Sequence, residues 1–162
     1  GKYISKLKIG YEELLRNRPV QISSNDDLID FESNASVIRI ITPDFFDDLE
    51  SFYPTILSNI KKKKRYEYVY PNIESLKIKG DRLIERLIKD TSMKDIKLFI
   101  AMKPFSDFPI TNEIVIYEEK NSNRLMGFLE LRNSANDSDT INIALSEGDV
   151  NLYYGFFKKE FQ

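Results

Sequence analysis

Chemistry in this chain falls to carboxylates, lysines, arginines and hydroxyls, because the sequence contains no histidine and no cysteine. The most frequent general base and the most frequent metal ligand are therefore missing together. Disulfides and thiolate metal sites are excluded as well. A serine or threonine nucleophile lacks its usual basic partner here, which leaves only Ser–Lys or carboxylate schemes. Phosphate cradling needs a glycine-rich loop ahead of a helix, but the turn after the first clear strand reads Thr42-Pro43-Asp44. Rossmann and P-loop readings are excluded on that ground. Asp44, Asp47, Asp48 and Glu50 could hold a hard cation through oxygen. Acids at a positive helix end account for them more simply, so neither a metal nor a cofactor is expected. Glu118, Glu119 and Glu130 flank a strand pair and could face one another, although strands commonly carry exposed carboxylates. The run Lys61-Lys62-Lys63-Lys64-Arg65 reads as a basic helix end that complements its dipole, with a phosphate-contacting patch as the alternative.

These groups are positioned by a βαβ unit over residues 37–71. The apolar run Val37-Ile38-Arg39-Ile40-Ile41 reads as a strand. Phe45, Leu49, Phe52, Ile56, Leu57 and Ile60 follow at helical spacing, and Tyr66-Glu67-Tyr68-Val69-Tyr70 reads as a second, parallel strand. Thr42 is placed to cap and Pro43 to take the first helical position. Pro54 splits the crossover into a short piece at roughly 44–51 and a main helix at roughly 54–64. Upstream, Tyr3, Ile4, Leu7, Tyr11, Leu14 and Leu15 predict an amphipathic helix ending before Pro19. Val20-Gln21-Ile22 then reads as a short edge strand and residues 23–30 as a polar turn. Downstream, a helix with the stripe Leu83, Ile84, Leu87 and Ile88 is expected, with a break or start at Gly80-Asp81. A strand over residues 96–102, bounded by Pro104, and a loop with exposed aromatics Phe105 and Phe108 follow. Residues 114–117 and 125–131 read as an antiparallel hairpin, and a polar loop covers residues 133–139. Residues 140–145 alternate as a last strand, and Leu152, Tyr153, Phe156, Phe157 and Phe161 form an apolar helix face.

The order gives an α/β fold: one domain with a βαβαβ core, a mixed sheet with an antiparallel hairpin, and N- and C-terminal helices. With 162 residues and 41% apolar content, residues 20–162 make a single α/β domain, and residues 1–19 a helix or linker from upstream sequence. The chain begins with Gly, as expected of a piece of a longer cytoplasmic protein whose upstream domain would be a partner. A formal net charge of -2 gives no global reason to expect nucleic acid, and no apolar run is long enough for membrane insertion.

The Ile38-to-Pro43 pattern, the helix with its basic end and the strand up to Pro71 resemble the first half of a phospholipase D-like domain. In that superfamily a later hairpin carries His-x-Lys, four residues, Asp, then a Gly-Ser-x-Asn-like stretch. The resemblance sets Thr111 at the His, Glu113 at the Lys and Glu118 at the Asp. Gly127-Phe128-Leu129-Glu130 stands near the Gly-Ser-x-Asn stretch, two residues late. It implies a degenerate domain, not an enzyme, since the nucleophilic histidine and the lysine are missing and Glu113 would repel a phosphodiester. It also implies a homodimer, because the superfamily pairs two such halves. The aromatics Phe105, Phe108, Tyr153, Phe157 and Phe161 are a further reason to expect one.

The function expected is therefore a non-catalytic regulatory or ligand-sensing module. The alternative is a protein-interaction or oligomerisation domain without a small ligand. Ligands of open α/β sheets sit beyond the carboxyl ends of the parallel strands. That edge is built here by Thr42, Asp44, Tyr70, Asn72 and Lys103, with Asn112 and Glu130 from the hairpin.

Overall fold

The structure, a computed structural model, describes residues 21–132 and 140–162. The helix expected over residues 3–15 and the loop expected at residues 133–139 lie outside the described residues. Strand β1 (Ile22–Ser23) is followed by helix α1 (Asn25–Asn34) and strand β2 (Ala35–Ile41). Two short helices, α2 (Phe46–Leu49) and α3 (Tyr53–Lys61), lead to β3 (Arg65–Pro71). Helix α4 (Glu74–Thr91) and a 3-10 turn (Ile96–Leu98) lead to β4 (Ile100–Phe105). Strands β5 (Ile114–Glu119), β6 (Leu125–Leu131) and β7 (Ile141–Ala144) precede the C-terminal helix α5 (Glu147–Glu160). They form one seven-stranded sheet in the order β1-β7-β6-β5-β2-β3-β4. Strands β2, β3 and β4 are parallel and the remaining pairs antiparallel. The expected mixed α/β sheet with its hairpin is therefore the fold found. Among the described residues no helix is long and apolar enough to cross a membrane.

The period of two along each strand divides the core between the sheet's faces. Ile38 and Ile40 of β2, Tyr66, Tyr68 and Tyr70 of β3, and Val115 and Tyr117 of β5 pack under α1, α3 and α4 in the larger core. Ile41 and Val69 turn to the opposite face, where Phe157 of α5 closes over them. On that face Arg39 is buried; its Nε donates to Glu67 Oε1 at 3.0 Å, and its guanidinium lies over Tyr154. Phe105, Phe108, Phe156, Phe157 and Phe161 stack on one another in a chain of ring contacts. Of the aromatics expected at a dimer interface, Phe157 is buried, Phe105, Tyr153 and Phe161 are half-buried, and Phe108 is 44% exposed.

Several local expectations are corrected. Residues 23–30 are not a turn: Ser24 and Asp27 exchange side-chain and backbone hydrogen bonds in a capping box that starts α1. Pro43 does not open a helix, because Phe45 adopts a left-handed backbone (φ 59°) and α2 begins after it. Thr42 instead accepts hydrogen bonds from the Asp44 and Phe45 amides, and the main helix starts at Tyr53 with Pro54 in its first turn. Of the basic run only Lys61 is helical, while Arg65 already belongs to β3. Gly80 does not break α4; a Cβ there would lie 3.0 Å from Met102 Sδ and 3.3 Å from Phe45, so the small residue lets the helix close on the sheet. Pro104 does not end β4 but lies within it, tolerated because β4 is the edge strand of the sheet among the described residues, where its missing amide breaks no ladder bond. Leu152, expected on the apolar face of α5, is 70% exposed.

At Gly127 the sheet leaves α5 and the strand beside it no room for a side chain. A Cβ there would come within 2.7 Å of Ile116 Cδ1, 2.9 Å of Val150 Cγ2 and 3.1 Å of Leu145 Cδ1. Gly127→Ala is expected to lower stability by roughly 1–3 kcal/mol, the range for overpacking, read as a lower denaturation midpoint with unchanged slope.

Candidate functional site

The end of β2 delivers α2 to the carboxyl edge of the sheet, and the short helix turns Asp47 and Asp48 inward; both are buried. From the other side the hairpin brings Glu130, whose amide donates to the Glu113 carbonyl at 2.9 Å, so the two residues stand opposite one another. Asn142 of β7 pairs with Glu130 in register. Carboxylate oxygens of Asp47, Glu113 and Glu130 all lie within 4.8 Å of one another. Arg132, just past β6, clamps the outer side: Nη1 donates to Asp44 Oδ2 at 2.9 Å, and Nη2 reaches Glu130 Oε1 at 3.0 Å and Asp47 Oδ2 at 3.4 Å. Its guanidinium also lies over the Phe46 ring.

Beneath this cluster is a cavity of about 20 Å³ lined by Leu28, Glu32, Ile40, Asp48, Phe52, Glu113, Val115, Tyr117, Glu130 and Asn142. Tyr68 donates to Asp48 Oδ1 at 2.9 Å, and among the described residues Asp48 Oδ2 is buried without a hydrogen-bond partner. Asn142 uses its Nδ2 on the Ser23 carbonyl and Asn25, and its Oδ1 is likewise buried without a partner. Glu32, which lines the cavity, accepts from Tyr66 at its Oε2 at 3.1 Å, and the Tyr66 hydroxyl in turn accepts from Asn59 Nδ2 at 3.0 Å.

Burial dominates the electrostatics. It raises Asp47 to about 7, assisted by Glu130 and partly offset by Arg132. It also raises Asp48 to about 7 against the hydrogen bond from Tyr68. Glu113 is pushed well above the usual carboxylate range by burial of its carboxyl and then by Asp48 and Glu130. Burial opposes the charge of Arg132, but Glu130, Asp44 and Asp47 outweigh it and hold its pKa above the ordinary value. The site is a water-poor acidic pocket with one arginine on its rim, suited to binding a cation or holding protons.

Of the residues expected here, Asp44 and Glu130 meet at Arg132, and Asn112 donates to the Glu130 carbonyl at 3.2 Å. Thr42 is buried and shapes the turn that leads to them. Tyr70 packs its ring against Phe45, and Asn72 bonds Ser106 at 3.1 Å. Lys103 pairs in register with Val69 on the opposite face and bonds Glu160 Oε2 at 3.1 Å, away from the cluster. Glu32, Arg132 and Asn142 were not singled out in the sequence, and Asp47 and Asp48 were assigned to a helix end. The available signal was alternation: Glu113 shares the parity of Val115 and Tyr117, and Glu130 that of Met126 and Phe128.

Glu32 shows how such burial feeds back on stability. Burial and then Asp48 raise it from 4.5 to about 8, so the folded chain holds a proton that the unfolded chain releases above 4.5. Its contribution is therefore fully present below about 4.5 and is lost as pH rises through about 8. Glu32→Gln keeps the shape and removes the titration. The variant is expected to be more stable than wild type at pH 9, with a slope between pH 5 and pH 8 shallower by up to about 1.4 kcal/mol per pH unit. Equilibrium unfolding across that range measures it.

No protein-family model matches the sequence, and no curated protein matches it. Among solved structures, the chain is similar to Nuc, a phospholipase D family member from Salmonella typhimurium. That likeness has a TM-score of 0.56 and 12% identity, covering 86% of this chain and 91% of Nuc. It is also similar to TrmBL2, an archaeal chromatin protein whose structure shows a novel mode of DNA binding, with a TM-score of 0.53 and 12% identity over 99% of this chain. This chain spans 62% of the length of that one. At these identities the likeness is one of fold, and the fold is phospholipase D-like.

Proposed function

We propose that this domain is a non-catalytic regulatory module of a larger cytoplasmic protein, and that its site senses a cationic ligand where a phosphodiesterase would bind an anion. The observation that carries the reading is the convergence of Asp47, Glu113 and Glu130, with buried Asp48 beside them. A phosphodiester entering this pocket would meet carboxylates in a poorly solvated setting, which is unfavourable for an anion. The sequence offers no histidine to attack phosphorus, and Glu113 stands where the resemblance would have a lysine. In this reading the signal passes to the rest of the same chain or to a second copy of the domain.

A nucleic-acid reading has one support besides the fold it shares with a DNA-binding chromatin protein. Lys62, Lys64 and Lys120 gather at a hollow near the amino end of β3. Against it, Lys64 already donates to the Ser33 carbonyl, and Glu119 lines the same hollow. Burial, then Lys62 and Lys120, also lowers the Lys64 pKa.

Thermal-shift and turnover measurements on the purified chain test the proposal. Divalent cations or small amines should raise Tm in wild type but not in Glu113→Gln. Inorganic phosphate, nucleotides and a short DNA duplex at about 150 mM salt should leave it unchanged. Turnover of a phosphodiester that disappears in Glu113→Gln would contradict the proposal. Sub-micromolar DNA binding abolished by Lys62→Gln with Lys63→Gln would move the functional site to the basic end.

A further inference from the structure

We infer that the acidic pocket is a site for one hard divalent cation, held by Asp47, Glu113 and Glu130 and completed by the free oxygens of Asp48 and Asn142. The inference rests on the proposed cation-sensing reading and names the class of cation. Its starting point is not the acids alone but two acceptors that have nothing to accept from. Among the described residues, Asp48 Oδ2 and Asn142 Oδ1 are buried without a hydrogen-bond partner, and their residues are 2% and 1% exposed. Both residues line the cavity with Glu32, Glu113 and Glu130, while Asp47 reaches Glu113 and Glu130 from beyond that lining. A buried acceptor left unsatisfied is costly, and here two of them share one void with carboxylates.

The void limits the occupant. At about 20 Å³ it accommodates one particle of about water size. A water molecule has two protons to offer, fewer than the acceptors gathered here. A divalent cation satisfies them together and offsets their mutual repulsion. All the donors are oxygens, the set that suits calcium, magnesium or manganese rather than zinc or copper. The oxygens of Asp47, Glu113 and Glu130, all within 4.8 Å of one another, can meet on one ion of either size. Magnesium gives up its waters reluctantly and demands near-ideal octahedral geometry, whereas calcium takes oxygen ligands in flexible arrangements. Calcium therefore suits this buried set of carboxylates better.

The donors come from separate parts of the chain: α2, the end of the turn before β5, β6 and β7. An ion here would tie the α2 turn and strand β7 to the hairpin, a physical route from binding to a change felt elsewhere. Arg132 bonds Asp47 and Glu130 from outside and opposes the ion's charge. Removing that charge should strengthen binding.

Terbium luminescence excited through tyrosine tests this directly, since Tyr117 lines the cavity and Tyr68 bonds Asp48. The expected result is one terbium ion per chain, displaced by calcium at lower concentration than by magnesium. Glu113→Gln and Glu130→Gln should each weaken binding by more than about 100-fold, beyond the usual effect of outer-shell partners. Arg132→Gln should tighten it. Circular dichroism checks folding, and if one glutamine variant fails to fold, the other and the wild-type displacement series decide. Absence of calcium and magnesium binding up to about 10 mM, beyond the weak end of natural sites, overturns the inference. So does binding indifferent to Glu113→Gln. If amines stabilise the chain through Glu113 while the metals do not bind, this inference fails and the proposed function stands; if neither binds, both fail.

Discussion

A strand cannot choose the face on which its terminal residue lands. The alternation that buries Val115 and Tyr117 carries Glu113 to the same side, and the alternation that buries Phe128 does the same to Glu130. Because β5 and β6 are antiparallel neighbours, these two acids come opposite one another at one end of the sheet. The α2 turn then lowers Asp47 and Asp48 onto them from the end of β2. Much of the candidate site follows from this forced meeting: raised proton affinities, Arg132 at the rim, and acceptors without donors beneath it.

The two faces of the sheet handle buried charge differently. Under α5, Arg39 meets Glu67 at 3.0 Å and Glu118 at 3.9 Å, while Arg65 binds the second oxygen of Glu67. Opposite charges there lie side by side on adjacent strands, the arrangement that makes a buried ion pair tolerable. On the other face, Arg132 touches Asp44, Asp47 and Glu130 but makes no ion pair with Asp48 or Glu113 among the described contacts. A structural ion-pair network would be balanced as on the α5 side. The imbalance at the strand ends sets this face apart from the other.

Much of the fold was legible because the strands declare themselves by alternation and the hairpin by its polar turn. The failures have local causes. Helix α1 was hidden by a polar outer face, and its start depends on a capping box formed with Asp27 rather than the more usual glutamate. β4 was misplaced because a proline normally ends a strand, whereas an edge strand accommodates one. The site was legible in pieces. Asp44, Asn112 and Glu130 were expected together and are found around one arginine's neighbourhood. Asp47 and Asp48 were credited to a helix dipole, yet α2 has only four residues and Phe45 as its cap, so little dipole exists for them to complement. Asn142 and Glu32 depend on how β7 and α1 register against the hairpin, which no short stretch of sequence encodes.

The account stands on the claim that the strand-end carboxyls are held together out of water. Carbon-detected NMR titration of the Asp47, Asp48 and Glu113 side-chain carboxyls measures it residue by residue in the metal-free chain. The account predicts midpoints near 7 for Asp47 and Asp48 and a midpoint well above 4.5 for Glu113. Midpoints near 4 for all of them, the range of solvated carboxyls, would mean that the acids are apart and hydrated, and would contradict it.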